Sequence, residues 1–172
     1  VHPGASFAVA DVYRGWIRGL IDCGLQVIPY NLDERLNYYE HAVWSEDGDV
    51  VKQMSFDEAC VAACEGIKAR CWEYQPDVIV VVCARFTPPA VLEALKARHR
   101  VVILHTESPY EDDWQITNAH LADINLVNDP ACIESWRQAN PETYYVAHSY
   151  DGQIHHPRRS GHKPDVSFVA TG

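Results

Sequence analysis

What is scarce in this chain narrows its function before any motif is read. Lysine and arginine number 14 against 24 aspartates and glutamates, a formal net charge of -10. Nucleic acids and anionic membranes select basic surfaces, so neither is expected as a partner. No apolar run approaches the ~18 residues of a membrane-spanning helix; the longest, Val78 to Ala84, has the length of a buried strand. A basic stretch leading into an apolar one is missing from the start, so no secretory signal is visible. No CxxC pair offers a structural zinc site. The three-glycine dinucleotide fingerprint and the phosphate loop ending in Gly-Lys-Ser/Thr are absent. So is the Gly-x-Ser-x-Gly elbow of many hydrolases.

Cysteine is present without the pattern of a disulfide framework. Cys60, Cys64 and Cys71 recur on one helical face, and Cys23 and Cys83 sit in apolar contexts. Small core residues in a reducing cytoplasm are the expected reading. With 172 residues, 47% of them hydrophobic, the chain has the material for one well-packed domain. Val1 follows no methionine and HPGAS reads as the tail of a strand, so a trimmed chain is expected.

Periodicity then supplies an architecture. Val9, Val12, Tyr13, Trp16, Ile17, Leu20 and Ile21 form a helical stripe, with Ser6 as N-cap and Gly24 as terminator. Gln26 to Tyr30 reads as a strand. From Asn31 to Gln53 the periodicity fails, and an insertion with a short hairpin from Val43 to Lys52 is expected, turning at Glu46 to Asp49. Ser55 and Glu58 form a capping box. It opens a helix that is expected to bury Phe56, Cys60, Ala63, Cys64, Ile67 and Cys71. Asp77 to Ala84 is a continuous apolar strand of the kind buried on both sheet faces. Thr87-Pro88 starts a helix to Arg98, and Val101 to Leu104 is the next strand. A helix at Trp114 to Leu121, a strand at Ile124 to Val127, a short helix capped by Asp129-Pro130 and a strand at Thr143 to Val146 complete the pass. Strands alternating with helices at this interval predict an α/β fold, a Rossmann-like open parallel sheet flanked by helices on both faces with right-handed crossovers.

Chemistry in such a sheet gathers past the carboxyl ends of the strands. His105 and Glu107 follow a buried strand directly and can project into that crevice, where either would orient or deprotonate a hydroxyl. The alternative is a hydrogen-bonded core histidine and a helix-start carboxylate. Tyr110 and Trp114 offer flat faces on which a sugar or base would stack, or simply pack. Glu111-Asp112-Asp113 invites a metal, but three consecutive acids point in different directions and acids favour a first helical turn anyway. No metal site is assigned. Gly4-Ala5-Ser6 precedes a helix start and can present backbone donors to an anion or a sugar hydroxyl. His155, His156 and His162 among Arg158, Arg159 and Lys163 read as a phosphate or metal site, or as a solvated linker.

The C-terminal stretch YYVAHSYDGQIHHPRRSGHKPDVSFVATG resembles the hinge of GT-B glycosyltransferases, where a strand, a passage holding Asp and Pro, and a strand of the DVxFVGT type join two Rossmann-like domains. Asp151 and Pro157 fall on that Asp and Pro. With HTESP and INLVNDP upstream, nearly the whole chain resembles the N-terminal domain of the CgeB-like (spore maturation protein) branch. The resemblance implies one half of a GT-B fold: an acceptor-side domain over residues 1–150, a linker over 151–164, and at 165–172 the start of a missing donor-binding domain. It implies a hexosyltransferase-type enzyme that is inactive as this fragment. No cofactor or metal is implied beyond the nucleotide-sugar co-substrate. Its partners would be the nucleotide sugar, a hydroxyl acceptor and the missing domain. His105 and Glu107 are then the catalytic candidates. Gly4, Ala5, Ser6, Ser108, Tyr110, Trp114, Asn128 and Asp151 are the substrate-binding candidates. Ala170 departs from the family's usual glycine. The rival expectation is a stand-alone flavodoxin-like or receiver-like binding module without catalysis.

Overall fold

In the computed structural model the described residues are 1–2, 10–149 and 151–153. The element order is α1 (Ala10–Asp22), α2 (Leu32–Tyr39), β1 (Val43–Trp44), β2 (Val50–Lys52), α3 (Phe56–Tyr74), β3 (Val78–Val82), α4 (Pro89–Lys96), β4 (Arg100–His105), α5 (Asp112–Gln115), β5 (Ile124–Val127), α6 (Ile133–Ala139) and β6 (Thr143–Tyr145). Turns of 3-10 helix occupy Ala84–Phe86 and Ile116–Leu121.

The fold is α/β, built on a four-stranded parallel sheet in the order β3-β4-β5-β6 and flanked by helices. Two short extended pieces continue it beyond β3. The Val1 nitrogen donates to Val80 O at 2.8 Å, and Val82 N donates to Val1 O at 2.9 Å. On its other side His2 bridges Asn31 in parallel, with His2 N on Tyr30 O and Leu32 N on His2 O, both at 3.0 Å. The chain order across the layer is therefore 29–31, 1–2, β3, β4, β5, β6, and it reverses between residues 1–2 and β3.

The expected strand at Gln26 to Tyr30 is corrected to this single bridge at Asn31. Pro29 has no N–H to give a ladder, and pairing is confined to its immediate C-terminal neighbours. The expected break in periodicity from Asn31 is also corrected, because α2 forms there. Asn31 caps it, its side-chain oxygen accepting from Asp33 N at 3.1 Å, with Asp33 and Glu34 in the first turn. Leu32 and Leu36, one turn apart, are buried on its inner side. The hairpin forms as expected, β1 antiparallel to β2, with Gly48 at a φ of 85° in its turn.

Helix α3 opens on the expected capping box. Glu58 N donates to Ser55 Oγ at 3.3 Å and Ser55 N donates to the Glu58 carboxylate at 2.9 Å. Its buried stripe is Ala59, Cys60, Ala63, Cys64, Ile67 and Cys71. Phe56 departs from expectation: as the first helical residue it stays 45% exposed, set edge-to-face on Phe86. The core lies where α2, α3 and α4 meet the sheet face that carries Ile79, Val81, Val101 and Ile103. Farther along, Ala119, Val127 and Trp136 form a smaller buried group. All six cysteines are free. No helix among the described residues is long and apolar enough to cross a membrane.

Candidate functional site at the carboxyl ends of the strands

Strand alternation decides where each candidate points. Val101, Ile103 and His105 share the inner face of β4, so His105 is buried beneath the strand ends rather than open to solvent. It is 3% exposed. Its Nδ1 faces Gln115 Oε1 at 2.5 Å, its Nε2 faces Asn125 Oδ1 at 2.9 Å, and its ring lies 4.1 Å from that of Trp136. Burial pushes its pKa below the ordinary histidine value, while the contacts with Asn125 and Gln115 and the charge of Asp112 oppose that shift.

The rim above it is polar. Thr106 and Glu107 are half-buried, with Thr106 Oγ1 donating to Glu107 Oε1 at 3.3 Å. Ser108 is buried and donates through Oγ to Asp112 Oδ2 at 3.0 Å. Asn128, at the end of β5, donates through Nδ2 to Thr106 O at 3.0 Å and to His148 Nε2 at 2.6 Å, which ties the two strand ends together. Its Oδ1 is buried with no hydrogen-bond partner among the described residues. Thr106, Glu107, Ser108 and Asn128 are thus brought together, with His105 beneath them.

The remaining candidates are scattered. Tyr110 is 90% exposed. Trp114 is 40% exposed and, with Phe56, Val61, Phe86 and Gln115, lines a cleft of about 370 Å³ whose floor includes His105. Asp151 is buried with its carboxylate held by one guanidinium nitrogen of Arg18, 2.5 Å from both oxygens, and Gln153 N donates to its Oδ1 at 3.0 Å. That geometry places Asp151 against α1, with its side chain already occupied. Gly4, Ala5 and Ser6 lie outside the described residues, as do the histidine- and arginine-rich stretch, Pro157, most of the linker and the strand at 165–172. The Glu111-Asp112-Asp113 run separates as its geometry predicts. Glu111 pairs with Arg85 at 2.5 Å, Asp112 with Ser108, and Asp113 is exposed. Among the described residues no group of three His, Cys, Asp or Glu side chains is placed to hold a metal ion.

The sequence reading takes Cys83 for a small core residue, and it is buried as expected, but its place at the strand end was not singled out. It follows β3 directly with φ at 53°, a left-handed conformation that a non-glycine residue adopts only under constraint. Cys83 N donates to Leu104 O at 2.9 Å. Burial raises its thiol pKa, the Arg85 backbone and Thr106 lower it, and the Glu107 charge raises it further. Cys83 therefore sits beside Thr106 and Glu107, next to the reversal of strand order. The available signal was its position one residue past an apolar run, at the one place where such sheets open a crevice. The chain matches no family model, no curated protein and no solved structure, so its functional reading rests on the residues themselves.

Proposed function

We propose that this domain is the acceptor-side half of a GT-B glycosyltransferase and helps move a sugar from a nucleotide-sugar donor to a hydroxyl group. The observation that carries the reading is the convergence of Thr106, Glu107, Ser108 and Asn128 at the ends of β4 and β5. Hydroxyl, amide and carboxylate groups on adjacent strand ends suit a ligand rich in hydroxyls. The charge balance agrees. Glu107, Glu111, Asp112, Asp113 and Asp129 all fall in the segments that follow β4 and β5, and Arg85 is already engaged by Glu111. Nucleotide phosphates are poorly served there, whereas a neutral hydroxyl acceptor is not. The hinge-like sequence from Asp151 supports a second domain that would hold the donor. With α1 on the second sheet face, as a right-handed crossover from residues 1–2 back to Tyr30 requires, helices flank both faces.

In the transfer step the acceptor oxygen bonds the anomeric carbon and the nucleoside diphosphate departs with the electron pair of the broken bond. Glu107 takes the acceptor's proton. His105 acts from below, through Gln115, on the loop that carries Glu107 and Ser108. The test uses the product of the complete reading frame. Glu107→Gln lowers kcat by roughly 10²-fold or more, the usual contribution of a general base, with circular dichroism unchanged. Turnover left intact in both Glu107→Gln and His105→Ala would remove the site assignment.

One observation favours a second reading. With the two short pieces counted, the order 2-1-3-4-5-6 is the flavodoxin-like 2-1-3-4-5 with one strand more, and in such domains a ligand sits at the reversal beside the first strand. Titration with flavin mononucleotide, followed by fluorescence quenching, separates the two. Tight flavin binding without sugar turnover selects the binding module.

A further inference from the structure

The hydrogen bonds around His105 constrain its protonation. On one side Gln115 Nε2 donates to Glu111 Oε2 at 2.9 Å, and that carboxylate also holds Arg85. The Gln115 amide cannot turn over without setting its oxygen against a carboxylate, so its Oε1 is fixed toward His105 Nδ1. On the other side Asn125 Nδ2 donates to Ala119 O at 2.9 Å, which fixes Asn125 Oδ1 toward His105 Nε2. Both neighbours of the imidazole are therefore acceptors, and a neutral ring carries only one N–H. We infer that His105 is a doubly protonated cross-tie in this arrangement, and that it releases a proton only when the Asn125 amide turns over.

Asn125 is the side that yields. Turning it sets two oxygens together at Ala119, but Ala119 O keeps a donor in Asn140 Nδ2 at 2.9 Å. Turning Gln115 would oppose an ion-paired carboxylate and has no such relief. The charged and titratable groups around the ring act in both directions. Asp112 favours the cation, as does Glu111 through Gln115, with Arg85 behind Glu111 opposing. Glu107 lies two residues on along the same strand end, and Asp57 and Cys60 of α3 share the cleft whose floor includes the ring. The face of Trp136 from α6 favours a cation. Burial opposes the charge strongly and holds the ring's pKa below the ordinary histidine value, against the pull of these carboxylates and amide acceptors.

The consequence is positional and does not depend on the chemistry proposed above. The charged ring anchors Gln115 and, through it, the 107–115 loop with Glu107 and Ser108. It ties that loop to β5. Losing the proton leaves the Gln115 side unchanged and reverses the β5 side, where the turned Asn125 Nδ2 donates to Nε2 and gives up Ala119 O.

The experiment is ¹⁵N-detected NMR of the histidine ring and the asparagine side-chain amides across the pH range in which circular dichroism shows the native fold. Two outcomes are expected. Below one midpoint both His105 nitrogens give protonated-type shifts, and above it Nε2 turns to the unprotonated type while the Asn125 side-chain amide moves with the same midpoint. In Asn125→Asp, whose carboxylate accepts in either orientation, the His105 midpoint rises by at least about one pH unit, a tenfold shift in proton affinity. A ring with one unprotonated nitrogen at every pH of the folded range overturns the inference. So does a titration during which the Asn125 amide does not move.

Discussion

At Gly66 a single missing methyl group decides whether α3 can lie against residue Tyr30. A Cβ there would stand 2.4 Å from Tyr30 Oη. Tyr30 cannot easily swing aside, because its hydroxyl donates to Ala63 O at 2.6 Å and Arg35 lies over its ring at 3.9 Å. Alanine ordinarily gains about 1 kcal/mol over glycine inside a helix. Overpacking costs about 1–3 kcal/mol, and the clash should win. Gly66→Ala is expected to lower the urea midpoint, and Tyr30→Phe in the same chain to recover part of the loss. A recovery no larger than the Tyr30→Phe effect in the parent would exclude this contact as the cause. His2 gives a pH-dependent counterpart. Burial first, then the positive charges of the first amino group and Arg35, lower its pKa to about 4, with Asp33 opposing. Between that value and the ordinary ~6.5 the unfolded chain binds more protons than the folded one, so stability falls as pH drops through this window. The expected loss is about 1–3 kcal/mol, read as a falling Tm from pH 6.5 to 4 that His2→Phe flattens.

Among the elements, those formed by strong local signals were legible and those decided by competition were not. The Ser55–Glu58 box is local chemistry, and α3 starts there. Ser55→Ala is expected to cost about 1 kcal/mol in chemical denaturation, and Glu58→Ala somewhat less. The strands β3 and β4 were legible because unbroken apolar runs flanked by helices bury on both faces, and β5 because only Asn125 interrupts its run. Helix α2 was missed because Tyr38, Tyr39 and four charged or amide side chains blur an eight-residue pattern that only Leu32 and Leu36 anchor. The sequence predicts one helix from Trp114 to Leu121, whereas the chain forms α5 over Asp112–Gln115 and then 3-10 helix over Ile116–Leu121. Thr117 Oγ1 donates to Trp114 O at 2.6 Å and Asn118 Nδ2 reaches the same oxygen at 3.4 Å. Such side-chain bonds compete with the α-helical ladder, and the chain tightens into 3-10 helix at Ile116–Leu121. The same limit applied to the site. Period-two alternation through Val101 and Ile103 already placed His105 inward, but a strand's last residue can escape its ladder. Only the facing Gln115 and Asn125, ten and twenty residues on, show that it does not.

Across the whole molecule the informative contact is the one between distant parts of the chain. Arg18 and Asp151 are 133 residues apart and meet with the Asp151 side chain 2% exposed. Asp151 Cα and Cβ lie 3.7 and 3.6 Å from where a Gly15 Cβ would stand, so Asp151 lies close against α1. Beyond β6 the chain is thus fastened to the first helix at Asp151. A carboxylate this buried is tolerated because its partner is in place; removing one partner strands the other. Arg18→Met is therefore expected to destabilise by more than about 1 kcal/mol, discounted from a fully buried pair because Arg18 is 34% exposed. Asp151→Asn keeps hydrogen bonds to Arg18 and Gln153 N and should cost less. The double variant Arg18→Met, Asp151→Leu should be more stable than Arg18→Met alone, since no charge is left buried. A double-mutant cycle in urea, with Arg18→Met and Asp151→Leu as its two single variants, measures the coupling. If the two single effects simply add, the fastening is incidental, and the run of chain that begins at Asp151 is not anchored to α1 by this pair.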